Sequence, residues 1–322
     1  MMRRMVIAGL LALGVAAPAA AEELKFGYSL PATSHYGASA TAMGEELAKR
    51  TNGKWTIKQF PANALGGERE MVEGLQIGTV DLVATSTGPV GNFVPDTLLT
   101  DIPFLFRDYA HADAVLDGPI GQQILDQFPK NGLVALAWGE NGFRNLTNSK
   151  RPVRTPEDAR GLKVRTMENQ VHMTAFRTIG VLPTPMAFPE LFTALQQGTV
   201  DGQENPIGVI LGAKFPQVQK YLTISQHVYS PALILMSPAV WNKLSAEEKT
   251  AFKEAAKVGA QAMRRKARED AQNGVDELRK QGMEVVTDVD RKAFEEALKP
   301  AFAEYAKKFG QAKIDAIRNY KP

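Results

Sequence analysis

One phrase occurs twice in this chain of 322 residues: Leu-Gln-Ile-Gly-Thr-Val-Asp at 75–81 and Leu-Gln-Gln-Gly-Thr-Val-Asp at 195–201. Helix-forming residues run up to each glycine, and glycine tolerates the left-handed backbone found just past a helix end. The β-branched residues that follow read as a buried strand. The phrase therefore marks a helix end, a glycine stop and a strand, once in each of two α/β units. Chance likeness of so common a unit is the plain alternative. The functional reading is a pair of similar domains with a ligand between them, because open α/β sheets bind ligands outside the carboxyl ends of their strands. The two copies diverge at that point, into "LVATSTGPV" and "GQENPIG".

The surrounding sequence has the same grammar. Leu24–Tyr28, Trp55–Phe60 and Val80–Ala84 read as strands, with helices over Ser39–Lys49 and from Gly66-Gly67 to Gly78. Later, Thr155-Pro156-Glu157-Asp158 is a helix start, Leu162–Arg165 a strand, His172–Ile179 a helix, Phe188–Gly198 another, and Thr199–Asp201 the next strand. Such alternation predicts an α/β protein with a mostly parallel sheet in each domain, flanked by helices. From Ser245 to Gly282 a capping box (Ser245, Glu248) opens a segment with an apolar stripe and no proline. It is either one helix long enough to cross both domains or two helices broken at Gly259 or Gly274.

The first residues are a targeting segment. Arg3 and Arg4 precede an apolar run, Val6–Val15, too short to span a bilayer, and Pro18-Ala19-Ala20-Ala21 offers a cleavage site. A Sec signal peptide removed after about Ala21 is the expectation; a membrane anchor is the alternative. An exported chain without cysteine must rest on its core alone, which suits a large bacterial periplasmic protein. The formal net charge is +3 and falls close to neutral without Arg3 and Arg4. No block of basic residues is present, so nucleic acid is excluded as a partner.

Catalytic signatures are missing. The chain has no Gly-x-Ser-x-Gly, His-Glu-x-x-His or phosphate-binding glycine loop, and no thiol. Its four histidines (His35, His111, His172, His227) lack metal-ligand spacing. Polar residues at strand ends stand out instead. Asn141-Gly142-Phe143-Arg144 follows the apolar strand Val134–Trp138, Arg165 ends a strand, and Gln203-Glu204-Asn205-Pro206 follows the second copy of the phrase. The planar fork of arginine suits a carboxylate, and an arginine on a buried strand is costly without an anion. That anion is an internal acid or a ligand; periodicity does not choose.

The stretches "GFRNLTN", "GLKVRTMEN", "PTPMAFPELFTALQQGTVDGQENP" and "VQKYL" resemble the solute-binding subunits of tripartite ATP-independent periplasmic (TRAP) transporters, the dicarboxylate-receptor (DctP-type) family, from about Leu24 to the C-terminus. The resemblance implies a two-domain periplasmic-binding-protein fold, type II-like, closing on an organic acid. It assigns the main bidentate carboxylate contact to Arg165, assisting roles to Arg144 and Asn205, and a pocket wall to Phe188. It supports an unbroken helix over about 245–281. Docking on two membrane subunits, a small four-helix one and a large ion-coupled one, is also implied. The expected domains are residues 22–141 with 230–268, and 142–229 with 269–322.

Departures from the family pattern bear on the ligand. Sialic-acid-binding members carry an acid and an arginine where this chain has Thr85-Ser86-Thr87-Gly88-Pro89, and an asparagine where it has Glu168. Sialic acid is therefore disfavoured. Glu168 either faces the pocket, where it repels a second carboxylate, or pairs with Arg144. The first domain must supply further contacts: Ser34, His35, Tyr36, Glu68, Ser86, Thr87, Glu140 and Asn141 are the candidates. A hydroxylated monocarboxylate (a sugar acid) or a C4-type dicarboxylate is the expected ligand, bound by a monomer, with dimerisation left open, and without cofactor or metal. An enzyme on the same scaffold and a sensory receptor are the rival functions.

Overall fold

Nine strands form one sheet in this computed structural model, which describes residues 21–321. Residues 1–20, on which the expected signal peptide falls, Arg3 and Arg4 among them, lie outside the described residues. The strands are β1 (Glu22–Tyr28), β2 (Trp55–Phe60), β3 (Leu82–Ser86), β4 (Val134–Asn148), β5 (Lys163–Thr166), β6 (Leu182–Pro185), β7 (Gly202–Pro206), β8 (Tyr221–Met236) and β9 (Glu284–Val286). Their order is β2-β1-β3-β8-β4-β7-β5-β6, with β9 on β8. The triplets β2-β1-β3 and β7-β5-β6 are parallel, as the alternating pattern predicts. What the pattern did not predict is their junction. The strands β4 and β8, 15 and 16 residues long, run antiparallel through both halves and join the triplets into one sheet.

This junction corrects the expected strand end after Trp138: Asn141–Arg144 continue β4 rather than follow it. Register shifts at Ala135/Ala137, Glu140/Gly142 and Arg144/Leu146 let the strand bend and continue through a glycine-rich stretch that reads locally as a turn. Ser86, the last residue of β3, pairs with Ala232, level with Gly139 of β4. Pro206, the last residue of β7, pairs with Arg144. The carboxyl ends of the two triplets thus meet over residues 140–143.

The repeated phrase does the same work twice. Gly78 and Gly198 hold φ of 78° and 71°. The amides of Thr79 and Thr199 donate to the carbonyls of Gly74 and Ala194, at 2.9 and 3.0 Å. Asp81 and Asp201 each accept a 2.8 Å bond at Oδ2, from the amides of Lys25 and Lys163 on the neighbouring parallel strands β1 and β5. The phrase stops one residue short of β3 and β7. The expected strand at Thr199–Asp201 is therefore a turn, and the divergent continuations are the strands themselves.

The segment after Ser245 is one unbroken helix, Ala246–Lys280, about 52 Å long at 1.5 Å per residue. Its two suspected break points are points of close approach. A Cβ on Gly259 would stand 2.9 Å from the Ser39 carbonyl oxygen in the first half. One on Gly274 would stand 2.5 Å from Ile207 Cγ2 in the second. The helix is kept straight by packing on both halves, which outweighs the roughly 1 kcal/mol that glycine costs in a helix interior.

Candidate ligand-binding site

A space of about 260 Å³ lies where the two triplets meet, with Tyr36, Glu68 and Ser86 on one side, Asn141 between, and Arg165, Phe188 and Asn205 on the other. Arg165 is on β5 and 2% exposed. Its Nε and Nη2 both donate to the Met186 carbonyl, at 2.9 and 2.7 Å, while Nη1 has no partner. The guanidinium carbon sits 5.9 Å from the centre of the Phe188 ring. No carboxylate pairs with Arg165 among the described residues. Burial lowers its pKa to about 10, so it remains cationic at neutral pH.

Arg144 resolves the other half of the question about buried arginines, because it has an internal acid. It faces Pro206 across the β4–β7 ladder, and Glu204, two residues back, shares that sheet face. Arg144 Nε donates to Glu204 Oε2, and Nη2 donates to Glu204 Oε1 at 2.8 Å, with both residues fully buried. Nη2 also reaches Asn205 Oδ1 at 3.2 Å, and Nη1 is left without a partner. Burial opposes a charge on Glu204, yet Arg144, His227 and His172 outweigh it and hold the carboxyl far below its ordinary range. His227 Nε2 lies 3.2 Å from Glu204 Oε2. Glu204 was not among the expected site residues. The signal for it was the buried arginine itself, which demands an acid on a neighbouring strand.

Across the space, Glu68 opens the helix Glu68–Ile77, here α2. Its Oε1 accepts from the amide and hydroxyl of Ser86, both at 2.8 Å, and from the hydroxyl of Thr85 at 3.0 Å. Tyr36 is buried with an unpartnered hydroxyl. Burial, then the charge of Glu68, raises its pKa well above the usual value, so it stays a neutral donor. His35 donates from Nε2 to Asn141 Oδ1 at 3.1 Å, which leaves the Asn141 amide nitrogen free for the space. Burial lowers the His35 pKa to about 4, so the ring is neutral at pH 7.

Four expected contacts are placed elsewhere. Ser34 caps the helix His35–Arg50 by accepting from the Gly37 amide. Thr87 donates to buried Asp101 at 2.8 Å. Glu140 is engaged away from the space. It binds Tyr229 Oη at 3.0 Å and Arg268 of the long helix at 2.7 Å. Glu168 does not pair with Arg144; it stands 3.7 Å from Arg69 of α2, at the rim of a side recess that also touches Arg165 and Glu68. Met167, not anticipated, lines both the main space and this recess.

A roomier space of about 530 Å³ lies behind the site among Phe104, Phe176 and Phe294. Its walls are apolar apart from His172, Thr223, Ser225 and His227, and no lysine or arginine lines it, so it suits a carboxylate poorly. Among the described residues no three His, Asp or Glu side chains are grouped to hold a metal ion, and no helix is long and apolar enough to cross a membrane.

Comparisons with known proteins agree with this fold. A TRAP periplasmic solute-binding protein of a Polaromonas species, solved with D-erythronate, is 57% identical, superposes with a TM-score of 0.92, and is matched over 93% of this chain and 99% of that one. The sugar acid binding protein of Advenella mimigardefordensis, solved with galactonate, is 35% identical with a TM-score of 0.90, over 93% and 97% of the two chains. The 2,3-diketo-L-gulonate-binding periplasmic protein of Escherichia coli K12 is 40% identical over 91% of this chain and 89% of its own. Residues 26–308 match the family model described as bacterial extracellular solute-binding protein, family 7. With two parallel triplets, a cleft between them and an unpaired buried arginine at its centre, the chain belongs to that family, the solute receptors of TRAP transporters.

Proposed function

We propose that this receptor takes a short hydroxylated monocarboxylate, a sugar acid, into the cleft, with Arg165 as its carboxylate anchor. One observation carries the reading: Arg165 is a buried cation whose Nη1 has no partner and which no acid neutralises. Arg144, already neutralised by Glu204, assists through its free Nη1 and through Asn205. Phe188 covers the guanidinium. Glu68 stands on the opposite wall, where its charge repels a second carboxylate and its free oxygen accepts from hydroxyl groups. Tyr36, Ser86 and Asn141 supply further polar contacts. The sugar acids bound by the Polaromonas and Advenella proteins support the same class. A C4-type dicarboxylate is the second reading; it would require Arg69, the cation of the side recess, to give up its partners Glu73 and Glu168.

The leader is removed after about Ala21, and the mature monomer works in the periplasm. Domain one comprises 22–141 with 230–268, and domain two 142–229 with 269–322. The closed receptor delivers its acid to a small four-helix and a large ion-coupled membrane subunit, unchanged chemically. A thermal-shift screen over organic acids tests the reading, since a ligand that binds only the folded state raises the melting temperature. Aldonates should stabilise the protein more than matched dicarboxylates. The reverse order would favour the second reading, and an acid recovered altered after incubation would favour an enzyme.

A further inference from the structure

Met167, Glu168 and Asn169 follow directly after β5, the strand of Arg165, and all three reach into the other half of the molecule. Met167 Sδ lies 3.3 Å from the Ser86 hydroxyl. It covers Gly88, in the short helix α3 (Thr87–Val90), so closely that a Cβ there would stand 3.2 Å from Met167 Cβ and 2.7 Å from its Cε. The Glu168 carbonyl accepts from Asn92 Nδ2 at 3.0 Å, and its carboxylate stands 3.7 Å from Arg69. Asn169 Nδ2 donates at 3.0 Å to Asp101, the buried acid that Thr87 also binds. Asn169 Oδ1 meanwhile caps the helix Gln170–Thr178, accepting from the amides of Val171 and His172.

We propose that Met167–Glu168–Asn169 is the latch that holds the two halves closed over the ligand. It rests on the reading of the cleft as the carboxylate site. Arg165 lies two residues before Met167, and Met167 itself lines the ligand space while its other side packs on Gly88. A ligand held by Arg165 therefore holds the latch in place, and the latch in turn brings Ser86 and Glu68 against the ligand. Its weight is uneven. The Arg69–Glu168 pair is exposed (50% and 33% at the side chains) and contributes little. Met167 and Asn169 are buried, and they carry the closure.

The chain has no cysteine, so a pair can be introduced alone. In Gly88→Cys/Met167→Cys the two Cβ atoms fall close to the roughly 3.5–4.5 Å that a disulfide requires. With D-erythronate as the probe, the cross-link should form about fivefold faster at saturation than without it, and the oxidised protein should release the acid about tenfold more slowly than the reduced one. Equal rates of cross-linking, or unchanged release, would overturn the latch. A second, non-covalent arm uses Gly88→Ala. It should weaken binding about fivefold in the wild-type background and less than about twofold in Met167→Ala, with the ligand-free melting temperature unchanged. The same loss in both backgrounds contradicts the proposal. If the unaltered protein binds no D-erythronate, the sugar-acid reading fails by itself, and the latch is judged by cross-linking with whichever acid the thermal-shift screen returns.

Discussion

Replacing the two cleft arginines by methionine, one at a time, should have opposite consequences for stability. Arg144 is neutralised: its partner Glu204 is 0% exposed and relies on it for compensation. Arg144→Met leaves that carboxylate buried with only His227 in hydrogen-bonding range. Removing one partner of such a pair costs about 3–5 kcal/mol, a large part of the stability of a typical domain. Arg165 is the reverse case. In the ligand-free protein it has one carbonyl and no acid to offset its lost hydration. Arg165→Met should therefore leave ligand-free stability unchanged or raised. With the acid bound, the same change removes the charge partner of the carboxylate, again about 3–5 kcal/mol, or roughly a hundred- to several-thousandfold in Kd. Urea unfolding and calorimetric titration with D-erythronate on both variants give the four numbers. An Arg165→Met protein that binds normally, or one that loses as much stability as Arg144→Met, refutes the reasoning.

Other perturbations separate the remaining contacts. Arg165→Lys keeps the charge but loses the fork that spans the Met186 carbonyl and the ligand, so binding should weaken by about 1.5–3 kcal/mol in the same titration. Glu68→Gln removes the negative wall and should narrow the preference for D-erythronate over succinate, read as the ratio of their Kd values; an unchanged ratio would take Glu68 out of the selection. His35 keeps its proton off down to about pH 4, against an ordinary 6.5, so the unfolded chain gains protons that the folded one refuses. Its contribution is whole above pH 6.5 and is lost as the pH falls towards 4, on the order of 3 kcal/mol. Unfolding of His35→Gln at pH 7 and 4.5 should show a smaller loss than wild type. Gly259→Ala should destabilise by about 1–3 kcal/mol despite alanine's better helix propensity, because its Cβ meets the Ser39 carbonyl at 2.9 Å; a raised melting temperature would contradict that close approach.

What could be read from the residues was whatever is decided locally. Gly78 and Gly198 terminate helices by their own backbone freedom, and Ser245 with Glu248 caps its own helix, so the two α/β units and the long helix were visible. The burial of Arg144 and Arg165 followed from the apolar strands that carry them. What could not be read was register. Arg144 and Glu204 are 60 residues apart, and only the pairing of β4 with β7 puts them together. The same holds for Glu140, whose partner Arg268 is 128 residues away on the long helix, and for Glu168, whose partner Arg69 lies across the cleft. The length of β4 was hidden for a different reason. Its bulges let Glu140-Asn141-Gly142 stay in a strand although such residues ordinarily mark a turn.

The proposed recognition centres on a single carboxylate held by Arg165. Calorimetric titration of the protein with D-erythronate, with erythritol (the same four-carbon chain with an uncharged hydroxymethyl group in place of the carboxylate) and with succinate tests that claim most directly. D-erythronate should bind, succinate more weakly, and erythritol not measurably, since loss of a buried charge partner costs about 3–5 kcal/mol. Erythritol binding as tightly as D-erythronate would show that the hydroxyl contacts, not Arg165, anchor the ligand.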